Sequence, residues 1–180
     1  MDHLSHFLED AVFSFSNIKG LADRAMAQVD DQAFFRPLDA ETNSIAIVVK
    51  HLAGNMQSRW TDIFTSDGEK PDRNRDGEFE LRANDTRDTL MEHWQSGWWT
   101  VFATLSTVQP ADYDTPLFIR GERHSLIQAV NRQVSHYAFH VGQIVLLARH
   151  YAGDRWSTLS IERGASQSYD KPFRTMIDDG

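Results

Sequence analysis

The chain is 180 residues long, 41% hydrophobic, with a formal net charge of −8 and no cysteine. That length fits one domain able to bury its own core, and the missing cysteines exclude disulfides and thiolate ligands, so any metal must be held by histidine and carboxylate or amide oxygen. The acidic balance, with a pI near 5.4 and no Lys/Arg-rich tract, argues against a general affinity for nucleic acid or anionic membrane.

The N-terminus reads as an acidic amphipathic helix and not as a signal peptide. No apolar run approaches the ~18–20 residues that cross a bilayer, so a soluble cytoplasmic protein is the expectation. From about His3 to Gln28, Leu4, Phe7, Leu8, Val12, Phe15, Ile18 and Ala22 recur at helical spacing and predict a first helix. Asp30, Asp31 and Pro37 break it, and Phe34 and Phe35 in the following linker are expected to dock on the core.

Asn43 or Ser44 caps a second helix that the apolar pattern Ile45, Val48, Val49, Leu52, Met56, Ile63 carries to about Phe64. Gly54 within it permits a close neighbour. His51 shares its face with Ser44, Val48, Asn55 and Ser58, a polar stripe bordering an apolar one. The loop Ser66 to Glu80 is heavily charged. Its Asp72-x-Asn74-x-Asp76-Gly77 resembles the start of an EF-hand, but Ala83 stands where the bidentate glutamate belongs and Arg73 and Arg75 would enter the cage, so a solvated loop is the better reading.

A third helix is predicted from about Asp85 to Thr107 on Leu90, Trp94, Trp98, Val101 and Leu105, with His93 off that seam. Pro116–Ile119 and the Arg120-Gly121-Glu122 turn form a short β-hairpin or an extended crossover. Ser125-x-x-Gln128 is a capping box that opens the last helix, Leu126 to about Tyr151, which ends at Gly153. Its apolar face carries Val134, Tyr137, Ala138, Val141, Ile144, Val145 and Ala148. Beside that face run Gln133, His136, His140, Gln143 and Leu147. In the tail, Trp156, Leu159 and Ile161 are expected to pack down, and the last ten or so residues to be loose. Residues 1–164 thus form one domain and 165–180 a tail. Four helices of similar length joined unevenly predict an all-α four-helix bundle with room for crossover connections.

His136 and His140 stand one turn apart, Cβ atoms about 5–6 Å from each other, so both imidazoles can reach one ion. Such a pair also suits a hydrogen-bonded core edge. A third histidine in a comparable setting, His51, raises the metal reading: if the two helices lie side by side, three imidazoles converge. Three neutral imidazoles leave open coordination positions, the catalytic pattern. The spacing His-Tyr-Ala-Phe-His lacks the glutamate of His-Glu-x-x-His proteases. Asn55 and Gln143, near the histidines, either orient a ligand or metal-bound water or are ordinary boundary residues. Arg59 either holds an anionic substrate or pairs with a carboxylate such as Asp62. His150 lies about 15 Å along the axis from His140, too far to share its ion. No Gly-x-Ser-x-Gly elbow and no phosphate-cradling glycine loop is present.

The motifs Asn43-Ser-Ile…His51-Leu-x-Gly-Asn-x-x-x-Arg-Trp60, the Asp-Gly-Glu-Lys-Pro loop after it, and Ser135-His-Tyr-x-x-His140-Val-Gly-Gln143-Ile resemble the DinB/YfiT-like superfamily of bacterial four-helix proteins, and among them an uncharacterised branch. The resemblance covers roughly His3 to Gly164. It implies a left-handed bundle with crossover connections, a homodimer, and a divalent metal on His51, His136 and His140. Characterised relatives include thiol S-transferases that use bacillithiol or mycothiol and a mycothiol-dependent maleylpyruvate isomerase, but no thiol- or substrate-binding motif of theirs is matched here.

The expectation is a metal-dependent enzyme, a thiol S-transferase or a hydrolase acting on a small electrophile, using zinc, nickel or iron and, for the transferase, a low-molecular-weight thiol. No catalytic residue is assigned. The alternatives are a non-catalytic dimeric metal-binding bundle serving stress response or binding, and a metal-free bundle with three core histidines.

Overall fold

A computed structural model describes residues 3–168. Most of that stretch is helical: α1 (His3–Met26), α2 (Asp31–Phe35), α3 (Ile45–Trp60), α4 (Arg87–Thr107) and α5 (Leu126–Ala152), with a two-stranded antiparallel hairpin, β1 (Leu117–Ile119) and β2 (Glu122–His124), between the last two. The expected looseness of the last ten or so residues falls outside the described residues. Among those described, no helix is long and apolar enough to cross a membrane.

Helix starts follow side-chain chemistry. Ser44 accepts from the Ile47 amide, Thr86 from Thr89, and Ser125 from Gln128, whose own side chain accepts from the Ser125 amide to complete the capping box. In the linker after α1, Asp30 caps the single turn of α2 and seats Phe34 in the core. A local capping preference thus makes a helix where only docking was expected.

The four long helices share one hydrophobic core. At its centre Phe15 of α1 meets Trp60 of α3, Trp98 of α4 and Tyr137 of α5, with ring centroids 5.7–6.1 Å apart. α3 packs most extensively on α4, and α1 on α5, while α3 also meets α5 and α1 meets α4. The helices consecutive in sequence, α1 then α3 and α4 then α5, do not pack extensively on one another. Trp60 Nε1 donates to the Tyr137 hydroxyl at 3.0 Å and pins α3 to α5 deep in this core.

Several expectations are corrected. α3 stops at Trp60, not Phe64: the chain turns at Thr61, and Asp62 takes a left-handed conformation (φ 50°), so Ile63 reaches the core from a loop. α5 is rotated from its expected orientation, with Gln133 and Leu147 buried and Ala138 exposed. Trp156 and Leu159 pack on the core, but Ile161 is 39% exposed.

Candidate metal centre

α3 brings His51, and α5 brings His136 and His140, to one point, where a potential ligand nitrogen from each lies within 4.8 Å of the other two. His51 is buried and the other two are half-buried. The Nε2 atoms of His51 and His136 are 3.4 Å apart.

Two hydrogen bonds decide which ring nitrogens are free. His51 Nδ1 lies 2.9 Å from Glu78 Oε2. An ionised carboxylate only accepts, so Nδ1 carries a proton, and in the neutral ring Nε2 keeps its lone pair. Likewise His140 Nδ1 donates to Gln143 Oε1 at 3.2 Å, which frees its Nε2.

Glu78 is the residue that sequence reasoning missed. It sits in a 3₁₀ turn, Asp76–Phe79, at the end of the charged loop, and is 7% exposed. Arg73 grips its carboxylate from the other side, Nε to Oε1 at 2.7 Å and Nη2 to Oε2 at 2.8 Å. Burial disfavours its charge, but the bonds from His51 and Arg73 hold the pKa below the ordinary carboxylate value. The one signal in the sequence was Gly54, one turn after His51. A Cβ there would collide with Glu78 Oε1 and come within 2.9 Å of its Cδ, so the missing side chain is the space that admits the carboxylate. The close neighbour expected at Gly54 is the Glu78 side chain.

The loop is fastened to the helices around it. Ser58 Oγ donates to the Gly68 carbonyl and accepts from the Lys70 amide. Asp67 accepts the Arg120 and Gly121 amides, which closes the hairpin turn, where both residues have positive φ (57° and 74°). Within the EF-hand-like stretch, Asn74 Oδ1 accepts the Gly77 amide while Asp72 and Asp76 are exposed, so these residues build a turn.

Burial shapes the titration of the cluster. It pushes His136 down to about 3, with His140 and His51 adding to the effect, and lowers His140 against the opposing hydrogen bond with Gln143. Neutral imidazoles are the form that binds metals. Tetrahedral coordination with bonds of about 2.0–2.1 Å puts ligand nitrogens about 3.3 Å apart, so the 3.4 Å His51–His136 separation already suits a shared ion. Without an ion, a neutral His136 can donate its Nε2–H to the His51 Nε2 lone pair across this contact, and a metal would take the place of that proton. The donor set fits a divalent metal.

A cavity of about 320 Å³ opens beside the cluster, lined by His51, His136, Asn55, Gln133 and five arginines, Arg59, Arg73, Arg75, Arg120 and Arg132. Asn55 is thus at the site, on the cavity side. Arg59 is 3% exposed and pairs with Glu69 at 3.2 Å, not with Asp62, which is on the surface. His93 and His150 are exposed, and His124 hydrogen-bonds the Glu122 carbonyl within the hairpin.

No curated protein and no solved structure matches the chain. A family model matches residues 2–165, nearly the whole of the chain. The chain accordingly belongs to the DUF1572 family, described as proteins of unknown function.

Proposed function

We propose that this protein is a metal-dependent enzyme whose divalent ion is held by His51, His136 and His140. The observation that carries the reading is the cluster itself: three imidazoles from two helices, two of them oriented by partners on Nδ1, beside a polar cavity. A site meant only to stabilise usually surrounds its ion with four protein ligands, whereas three leave a position for substrate. When bound, such an ion supplies Lewis acidity, polarising a substrate oxygen and favouring the deprotonated form of water or a thiol. A transferase or hydrolase acting on a small electrophile fits that chemistry.

The chain's own residues have separate tasks in this reading. Glu78 and Gln143 hold His51 and His140 in the tautomer that presents Nε2. Arg73 keeps Glu78 ionised and in place. Asn55 faces the substrate side, and Arg59 serves substrate binding.

The scaffold is read as a four-helix bundle of the DinB/YfiT type over residues 1–164. The neighbour relations support it, since α1 to α3 and α4 to α5 both connect helices that do not pack extensively together, as two crossovers require. A homodimer is part of the same reading; Phe139 (66% exposed) and Leu146 (62%) lie two turns apart on one outer face of α5 and offer an apolar surface for it.

The test is elemental analysis of protein purified without a histidine tag, alongside His140→Ala. About one equivalent of one divalent metal per chain is expected, lost in the variant with helix content retained. Full occupancy in the variant would refute the ligand set. Metal that raises the melting temperature with no turnover on any electrophile, with or without added thiols, would favour the non-catalytic bundle.

A further inference from the structure

The arginines around the cavity come from four separate parts of the chain: Arg59 from α3, Arg73 and Arg75 from the loop, Arg120 from the hairpin turn and Arg132 from α5. A protein of net charge −8 has gathered five of its 18 basic residues on one concave surface. Among the described residues, only two carboxylates pair with them. Glu69 is shared among Arg59, Arg73 and Arg120 at 3.2–3.4 Å, and Glu78 is engaged by Arg73 and His51. Arg75 lies over the Phe79 ring, and Arg132 has no ion pair among the described residues.

Burial sharpens the imbalance. Arg59 Nε and Nη1 are sealed from solvent without an acceptor, although the residue is 3% exposed. An unmatched guanidinium in a low-dielectric setting is costly, and a buried donor lacking a partner costs about 1–3 kcal/mol. On the same wall the amide oxygens of Asn55 and Gln133 are buried without donors. Residues of the cavity wall therefore carry cationic donors and neutral acceptors that have no partner within the protein, next to the histidines.

Resting on the metal-centre reading, we infer that this cavity is the subsite that recognises the substrate, and that the substrate is a small anion, carboxylate- or phosphate-bearing, with hydroxyl or N–H groups near its charge. Arg59 and Arg132 take the anionic end, with the planar two-donor geometry that guanidinium groups offer to such oxyanions. Asn55 and Gln133 accept from the neighbouring donors. His51 and His136, on the same cavity wall, set the reacting end at the metal centre. The volume, about 320 Å³, suits a metabolite-sized molecule and not a polymer.

The experiment is calorimetric titration of the full chain, in low-chloride buffer, with inorganic phosphate and separately with succinate, on preparations whose metal content is measured. Binding of at least one of the two anions is expected, and the pair distinguishes a phosphoryl from a carboxylate subsite. Arg59→Gln and Arg132→Gln should each weaken it about tenfold or more, the effect of losing one charge-assisted hydrogen bond, with metal content unchanged. Arg155→Gln, outside the cavity, should bind as the parent does. Arg132 is exposed on α5, so its variant remains informative if the buried Arg59 replacement does not fold. Metal-replete protein that binds neither anion, variants that bind as tightly as the parent, or an equal loss in the Arg155 control would overturn the inference and leave the metal centre standing. Arginine-dependent binding by protein that takes up no metal would instead keep the anion cavity and overturn the metal reading.

Discussion

Replacing Gly54 by alanine sets two physical effects of opposite sign against each other. Helix propensity alone predicts a gain of about 1 kcal/mol for Gly→Ala inside a helix such as α3. The structure predicts a loss, because the new methyl group would occupy the place of the Glu78 carboxylate, with Cδ at 2.9 Å and Cγ at 3.2 Å. A free glutamate would swing aside at little cost. This one is tied to His51 and twice to Arg73, and its displacement breaks charge-assisted bonds worth about 1.5–3 kcal/mol each in net terms. Losing even one outweighs the propensity gain and leaves a net destabilisation of about 0.5–2 kcal/mol, or a fall of roughly 1–8 °C in Tm for a chain of this size. With His51 Nδ1 no longer held, metal affinity should fall about 10–100-fold. Thermal unfolding of chelated protein by circular dichroism and a metal competition titration measure the two effects. A Tm that rises by a few degrees with metal affinity intact would refute the placement of Glu78.

Gln143→Leu removes the acceptor from His140 Nδ1 and should lower metal affinity about tenfold with little change in helix content, read by the same competition titration. Tyr137→Phe leaves the buried Trp60 indole N–H without its acceptor and should cost about 1–3 kcal/mol in denaturant unfolding. Metal-free protein should lose stability as the pH falls from neutral. The folded state holds His136 at about 3 against an ordinary 6.5, so between those values the unfolded chain takes up a proton that the fold refuses; the lowered pKa of Glu78 adds a loss in the same direction below about its ordinary 4.5. Melting temperatures across that range should fall, and the slope should be shallower in His136→Asn.

The legible parts of this protein are those whose cause is local. Ser125 and Gln128 announce a capping box wherever they fall at that spacing before an apolar run, and the two histidines of α5 share a face because a helix repeats every 3.6 residues. His51 could be paired with them because its own helix carried a matching polar stripe. What escaped depends on the path of the chain between helices. Ile63 and Phe64 continue the apolar period of α3, yet a left-handed Asp62 takes them into a loop, which periodicity alone does not register. Among the acidic residues of the charged loop, nothing in spacing singles out Glu78 from Glu69 or Glu80. Its burial is decided by Arg73 and by the gap at Gly54, partners 5 and 24 residues distant in the sequence. The basic cavity is still less legible, since its arginines come from separate parts of the chain and Arg120 is placed there by a hairpin turn held on Asp67.

The division of helices into two closely packed pairs gives the histidine cluster a mechanical meaning. His51 rides with α3 and α4, whereas His136 and His140 ride with α5 and α1, so an ion that engages all three spans the seam between the pairs. Such an ion binds the closed arrangement better than any in which the pairs have moved apart, and linkage makes the preference mutual: saturating metal suppresses opening of the seam, and any change that loosens the seam releases metal. Amide exchange where α3 meets α5 should slow on metal addition, whereas the α3–α4 contact, which the ion does not bridge, should respond less. Metal availability would then govern both the chemistry of the site and how often the interior of the protein opens to solvent.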